Sequence, residues 1–136
     1  MLAHWKKLLI VFIVAGIVYT GCNTNGILRT EEFFRKKNPD LALTPKVCYM
    51  LGSSAHLTFR YKLAIDIIDR NLKDFPYHPA AVTAEYRRAV AYEKLGDYAK
   101  AIQLYEDFLL DHPKDNRHGS VQNKVAKLKA LHQEEF

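Results

Sequence analysis

Apolar positions recur along this chain at helical spacing, and stop signals cut them into short segments. Tyr61, Ala64, Ile65, Ile68 and Leu72 stand at offsets of 3, 4, 7 and 11, which places them on one face of an amphipathic helix predicted over 60–74. Phe75-Pro76 ends it, and Tyr77-His78-Pro79 reads as a turn. The preceding helix is predicted over 45–57, with Thr44 as a hydroxyl cap and Pro45 where no amide hydrogen is needed. A helix over 80–95 packs through Tyr86, Ala89, Val90 and Tyr92. Gly96 supplies a left-handed stop, and Asp97 caps a helix over 98–110 that faces inward through Tyr98, Ala101, Ile102, Tyr105, Phe108 and Leu109. Pro113 closes that helix, and a last one over 119–133 sets Val121, Val125, Leu128 and Leu131 against Lys124, Lys127 and Lys129. No segment alternates like a strand, so the expected class is all-α.

The segments repeat. Tyr61, Ala64 and Ile65 recur 37 positions later as Tyr98, Ala101 and Ile102. The same offset pairs Tyr49 with Tyr86, Leu72 with Leu109, Asp74 with Asp111 and Pro76 with Pro113. A period of this length is the mark of a helical solenoid, which buries its faces by stacking like units. Two units follow, 45–78 and 82–115, with 117–136 as a C-terminal capping helix. Small residues at Gly52, Ala64, Ala89, Ala101 and Ala126 let helices approach, and Tyr98, Ile102 and Tyr105 fill the space beside them.

The N-terminal part has a different grammar. Lys6 and Lys7 precede an apolar run from Leu8 to Val18, too short for a comfortable bilayer span. Residues 1–21 therefore read as an export signal. Gly21-Cys22 after the run resembles the lipobox of bacterial lipoproteins, although Tyr19 stands where that family prefers Leu, Val or Ile. The resemblance implies acylation of Cys22, with Asn23 after it favouring the outer membrane on its periplasmic side. Residues 23–28 read as a flexible tether. Thr30 is expected to cap a short helix carrying Glu31 and Glu32 early and Arg35, Lys36 and Lys37 late, and Asn38-Pro39-Asp40 breaks it.

The repeated units resemble tetratricopeptide repeats. The second unit carries Ala89, Tyr92, Gly96-Asp97-Tyr98, Ala101-Ile102, Tyr105 and Pro113; the first carries Leu51-Gly52, Tyr61, Ala64-Ile65 and Pro76. Val125-Ala126 places the last helix as the first half of a third unit. The period exceeds the family's 34 residues, so the loop after each proline is longer. That loop is similar to two bacterial envelope families, the tetratricopeptide lipoprotein of outer-membrane protein assembly and the coordinator associated with the Tol–Pal system. The resemblance implies a concave groove lined by Tyr49, Ser53, Tyr86, Val90, Asn123 and Lys127, with Arg87 beside it. Arg88 stands where the pattern wants Leu; it either packs its stem and sends its head to water or joins Arg87 as a basic spot for an acidic partner.

Composition narrows the function. The formal net charge is +5 for 136 residues, and without residues 1–21 the balance is 18 basic against 15 acidic. That is too mild for nucleic acid, and no nucleic-acid motif occurs. Cys22 and Cys48 make no disulfide framework, and Cys48 is expected as a small buried apolar residue. No phosphate loop, His-Glu-x-x-His or Gly-x-Ser-x-Gly is present. His112 and His118 flank one loop near Asp111 and Asp115, a weak metal case better read as loop solvation. No enzyme activity, cofactor, metal or small-molecule substrate is expected. The reading is a membrane-anchored adaptor for protein partners in a bacterial envelope. The alternatives are a self-assembling structural subunit of an envelope complex, or a secreted or signal-anchored repeat protein without lipid.

Overall fold

The computed structural model describes residues 23–132. The expected export signal over 1–21 and Cys22 lie outside them. Six helices follow one another: α1 (Thr24–Glu32, prolonged by a π-turn over Phe33–Lys37), α2 (Thr44–Leu57), α3 (Tyr61–Asp74), α4 (Ala81–Lys94), α5 (Tyr98–Asp111) and α6 (His118–Leu131). Each packs on its neighbours in sequence, as in a tetratricopeptide-like solenoid, and no strand occurs among the described residues.

The spacing is stricter than the sequence identities suggest. Helices α2, α4 and α6 each have 14 residues, and their first residues, Thr44, Ala81 and His118, are 37 apart. Helices α1, α3 and α5 start at Thr24, Tyr61 and Tyr98, again 37 apart. Pro39, Pro76 and Pro113 share that register. Helix α1 is therefore the second half of a repeat that precedes the first complete one. The expected tether over 23–28 is instead the first turn of this helix. Asn23, not Thr30, caps it: its Oδ1 accepts from the Asn25 amide at 3.1 Å.

Two cores meet end to end. One gathers Ile27, Tyr49, Leu51, Ala55, Ala64, Ile67 and Ile68 between α1, α2 and α3. The other gathers Ala89, Ala101, Ile102, Tyr105, Phe108, Val121 and Val125 between α4, α5 and α6. Gly52 explains the close crossing of α2 and α3. A Cβ there would stand 3.3 Å from both Ile67 and Ile68. Cys48 is fully buried, and burial pushes its thiol pKa up.

Polar groups lock the helices in register. Glu31 is buried, and Arg70 grips it with Nε at 2.9 Å and Nη2 at 2.7 Å. Arg35 donates to Glu31 at 3.2 Å and reaches Asp74 and Asn71. Asn71, fully buried, donates Nδ2 to the Cys48 carbonyl at 2.9 Å. On the other core, Glu93 accepts from Tyr105 at 2.6 Å and from Lys124 at 3.0 Å, tying α4, α5 and α6 together. Burial alone would raise the Glu93 carboxyl, but these two donors hold it below its ordinary range. Burial and the Glu93 bond push the Tyr105 hydroxyl far up, so it stays a donor.

Thr44 does not cap α2. It is the first helical residue, and its hydroxyl donates to the Asn38 carbonyl at 2.7 Å, pinning the connection from α1. Asp97 does cap α5, accepting from the Lys100 amide at 3.1 Å. Gly96 takes the left-handed conformation with φ +83°. The equivalent place in the preceding turn belongs to Phe59, with φ 61°.

His56 gives the fold a pH dependence. Its ring packs edge-on against Tyr61 at 5.5 Å, and neither ring nitrogen has a partner among the described residues. Burial first, then Arg87 and Lys94, pulls its pKa below the ordinary 6.5. The unfolded chain then takes up the proton more readily than the folded one, so stability falls as pH drops below 6.5. Urea midpoints between pH 7.5 and 5 are expected to decline, and the His56→Leu variant should flatten that slope. An unchanged slope in the variant assigns the effect elsewhere.

Candidate functional site

An apolar recess lies beside α2, where its outer face meets the connection leading into α4. It encloses about 700 Å³ and is lined by Lys46, Tyr49, Met50, Ser53, Leu57 and Pro79 among others. Helical spacing aligns Lys46, Tyr49, Met50, Ser53 and Leu57 along one side of α2. The two long side chains Met50 and Leu57 are exposed there, 61% and 65%. The extended loop after Pro76 forms the opposite wall through His78, Pro79 and Ala80.

Tyr49 forms the floor. It is buried, its hydroxyl donates to the Phe75 carbonyl at 2.9 Å and the Asn71 carbonyl at 3.2 Å, and His78 stacks on its ring at 5.0 Å. Burial, with Glu85 adding, pushes its pKa up to about 12. Its hydroxyl is therefore committed inward, and the ring edge is what the recess presents. Ser53 lines the wall and accepts from Arg87 across the α2–α4 junction.

The other residues expected in the groove stand outside its lining. Tyr86 is half-buried against Tyr105 and Phe108, with the Arg117 guanidinium over its ring at 5.1 Å. Asp115 holds Arg117 there through two bonds of 2.8 Å, and those bonds drop the Asp115 carboxyl to about 2. Val90 packs against the second core. Asn123 and Lys127 are exposed on α6. Arg117 closes over Tyr86 in the second repeat, whereas its counterpart 37 residues earlier, in the first repeat, is the short Ala80. Arg88 is tied to α3, its Nη1 2.9 Å from Asp69. With Arg87 on Ser53, the two arginines are staples between helices rather than one basic spot.

The loop between α5 and α6 does not gather its histidines. His112 bonds Glu85 at 2.5 Å while His118 begins α6. No group of three His, Cys, Asp or Glu among the described residues is placed to hold a metal. Met50 and Leu57 were missed in the sequence, although their spacing of seven on one helix marks a common face.

Helices α4 and α5 form a pair with a glycine stop, an aspartate cap and a closing proline on the fixed period. Residues 83–115 match the tetratricopeptide repeat. The match covers most of α4 and all of α5. The first tetratricopeptide-like unit, α2 and α3, shares its register and helix lengths but has Phe59 where the turn has glycine, and Asn71 where the second has Phe108. No curated protein matches the chain. Tetratricopeptide repeats are typically protein-binding scaffolds, and the matched repeat points to a role in protein–protein interaction. No helix of the described residues is long and apolar enough to cross a membrane.

Proposed function

We propose that this protein is a membrane-anchored tetratricopeptide adaptor that grips an apolar segment of a protein partner in the recess beside α2. The observation that carries the reading is the recess itself: about 700 Å³, floored by Tyr49 and rimmed by exposed Met50 and Leu57. Exposed apolar side chains around a concave site mark a binding surface. Lys46 at the rim favours a partner that carries a carboxylate beside its apolar anchor. The anchor is Cys22, supported by the Lys6-Lys7 start, the apolar run to Val18 and Gly21. Acyl chains on that sulfur contribute about 0.8 kcal/mol per buried methylene, enough when several are present to hold the chain at a membrane. The periplasmic face of the outer membrane of a bacterial envelope is the proposed place.

Two substitutions test the halves separately. Cys22→Ala should abolish labelling by radioactive palmitate, and continued labelling would sink the lipid anchor. A photo-crosslinking residue at Met50 should capture a discrete partner in cells, and Leu57→Glu should lose that product at least tenfold. Equal crosslinking from Met50 in the Leu57→Glu background removes the recess as the binding site.

A further inference from the structure

The edge of the solenoid formed by the turns α2–α3 and α4–α5 carries an unusual set of side chains. Phe59 is 78% exposed and adopts φ 61°, a left-handed conformation that a bulky residue rarely takes. The equivalent place in the next turn is Gly96. A glycine would do the backbone's work at Phe59, so the aromatic ring is held out at a cost in strain and in exposed apolar surface. Leu57 and Leu95 are exposed at the same edge. Around them stand Arg60, Lys62 and Lys94. Among the described residues, the carboxylates beside the α4–α5 turn are engaged within the protein: Asp97 caps α5, and Glu93 is bonded by Tyr105 and Lys124.

The chain enters the described fold at this same edge. Glu31 meets Arg70, and Arg35 meets Asp74 in the last turn of α3. Helices α1 and α3 therefore run in the same direction, and Asn23 lies at the edge where α3 begins. No slack separates this edge from Cys22. Asn23 follows Cys22 directly, and Thr24 is already helical. Two residues reach at most about 7 Å. An acylated Cys22 thus brings this edge, and no other, against the lipid headgroups.

We propose that the α2–α3 and α4–α5 turns form a membrane-docking edge: Phe59 and Leu95 enter the interfacial layer while Arg60, Lys62 and Lys94 meet anionic lipid headgroups. Aromatic and leucine side chains at the interface with lysines and arginines beside them are what a peripheral contact of this kind requires. Docking fixes the solenoid's orientation and leaves the α2 recess facing along the membrane. The inference rests on the anchored reading above.

Amide hydrogen exchange of the full chain on vesicles tests it. The comparison is phosphatidylethanolamine with phosphatidylglycerol against phosphatidylethanolamine with phosphatidylcholine. On the anionic vesicles, segments 56–62 and 93–97 should exchange about tenfold more slowly, as expected when nine-tenths of the molecules are docked. Phe59→Gly should remove that protection while keeping the melting temperature in detergent, because Gly96 already serves the same turn. A chain that floats with both vesicles yet exchanges alike on both is anchored but undocked, and overturns the edge alone. Protection at 39–43 and 76–80 instead places the opposite edge on the lipid and also overturns it. A chain that floats with neither vesicle removes the anchor and the docking together.

Discussion

Phe108→Ala is expected to cost about 3–5 kcal/mol of folding stability. Phe108 sits at the centre of the second core, 2% exposed. Its ring lies 6.0 Å from Tyr86 and 5.0 Å from His112, and Arg117 covers it at 5.4 Å. Truncation opens a cavity between α4, α5 and α6 that these neighbours cannot collapse into. Arg117 is held by Asp115, and His112 is held by Glu85. A domain of this size loses roughly 4 °C of melting temperature per kcal/mol, so a fall of about 12 °C or more is expected. Leu110→Ala, two residues away and 78% exposed, should stay within about 0.5 kcal/mol. Thermal melts followed by circular dichroism make the comparison. Equal effects at the two positions contradict the placement of the second core.

The contrast between these two residues also shows what the sequence carried. Helices α2 to α6 were legible to within two residues at either end, because the apolar stripe and the stop signals agree. Gly96 and the prolines act through backbone conformation and Asp97 through a side-chain cap three residues away, all of them local effects. Helix α1 was half-hidden because its stripe is written in charge. At the places of Ile68 and Leu72 in α3 it has Glu31 and Arg35, which read as surface residues. Only the structure supplies Arg70 and Asp74, the partners that make them interior. Asn23, Asn25 and Gly26 then read as linker although they form the cap and first turn. The recess was legible as Tyr49 and Ser53. Its restriction to the first repeat was not, because Arg117 over Tyr86 is a contact across 31 residues that no local pattern encodes.

Asn71→Leu is expected to cost about 2–4 kcal/mol, the sum of a buried neutral hydrogen bond and one to a charged donor. Leucine keeps the branched skeleton with bulkier methyl groups, so the loss reports lost bonding and crowding rather than a cavity. Nδ2 of Asn71 donates to the Cys48 carbonyl on α2, and Oδ1 accepts from Arg35 at the end of α1. One side chain on α3 therefore joins three helices. Phe108 occupies the same place in the second repeat, so this polar joint belongs to the first repeat alone. The substitution should thus act unevenly. Exchange should quicken most over 24–37, less over α2, and hardly at all over α5 and α6. Because α1 is the only described segment between Cys22 and the repeats, its loosening would also turn a rigid mount into a flexible one. Anchored chains carrying Asn71→Leu should then lose the lipid-dependent protection of 56–62 even with Phe59 intact. A uniform rise in exchange across all helices, or a loss of stability below about 1 kcal/mol, would show that Asn71 does not serve as the joint between α1 and the first repeat.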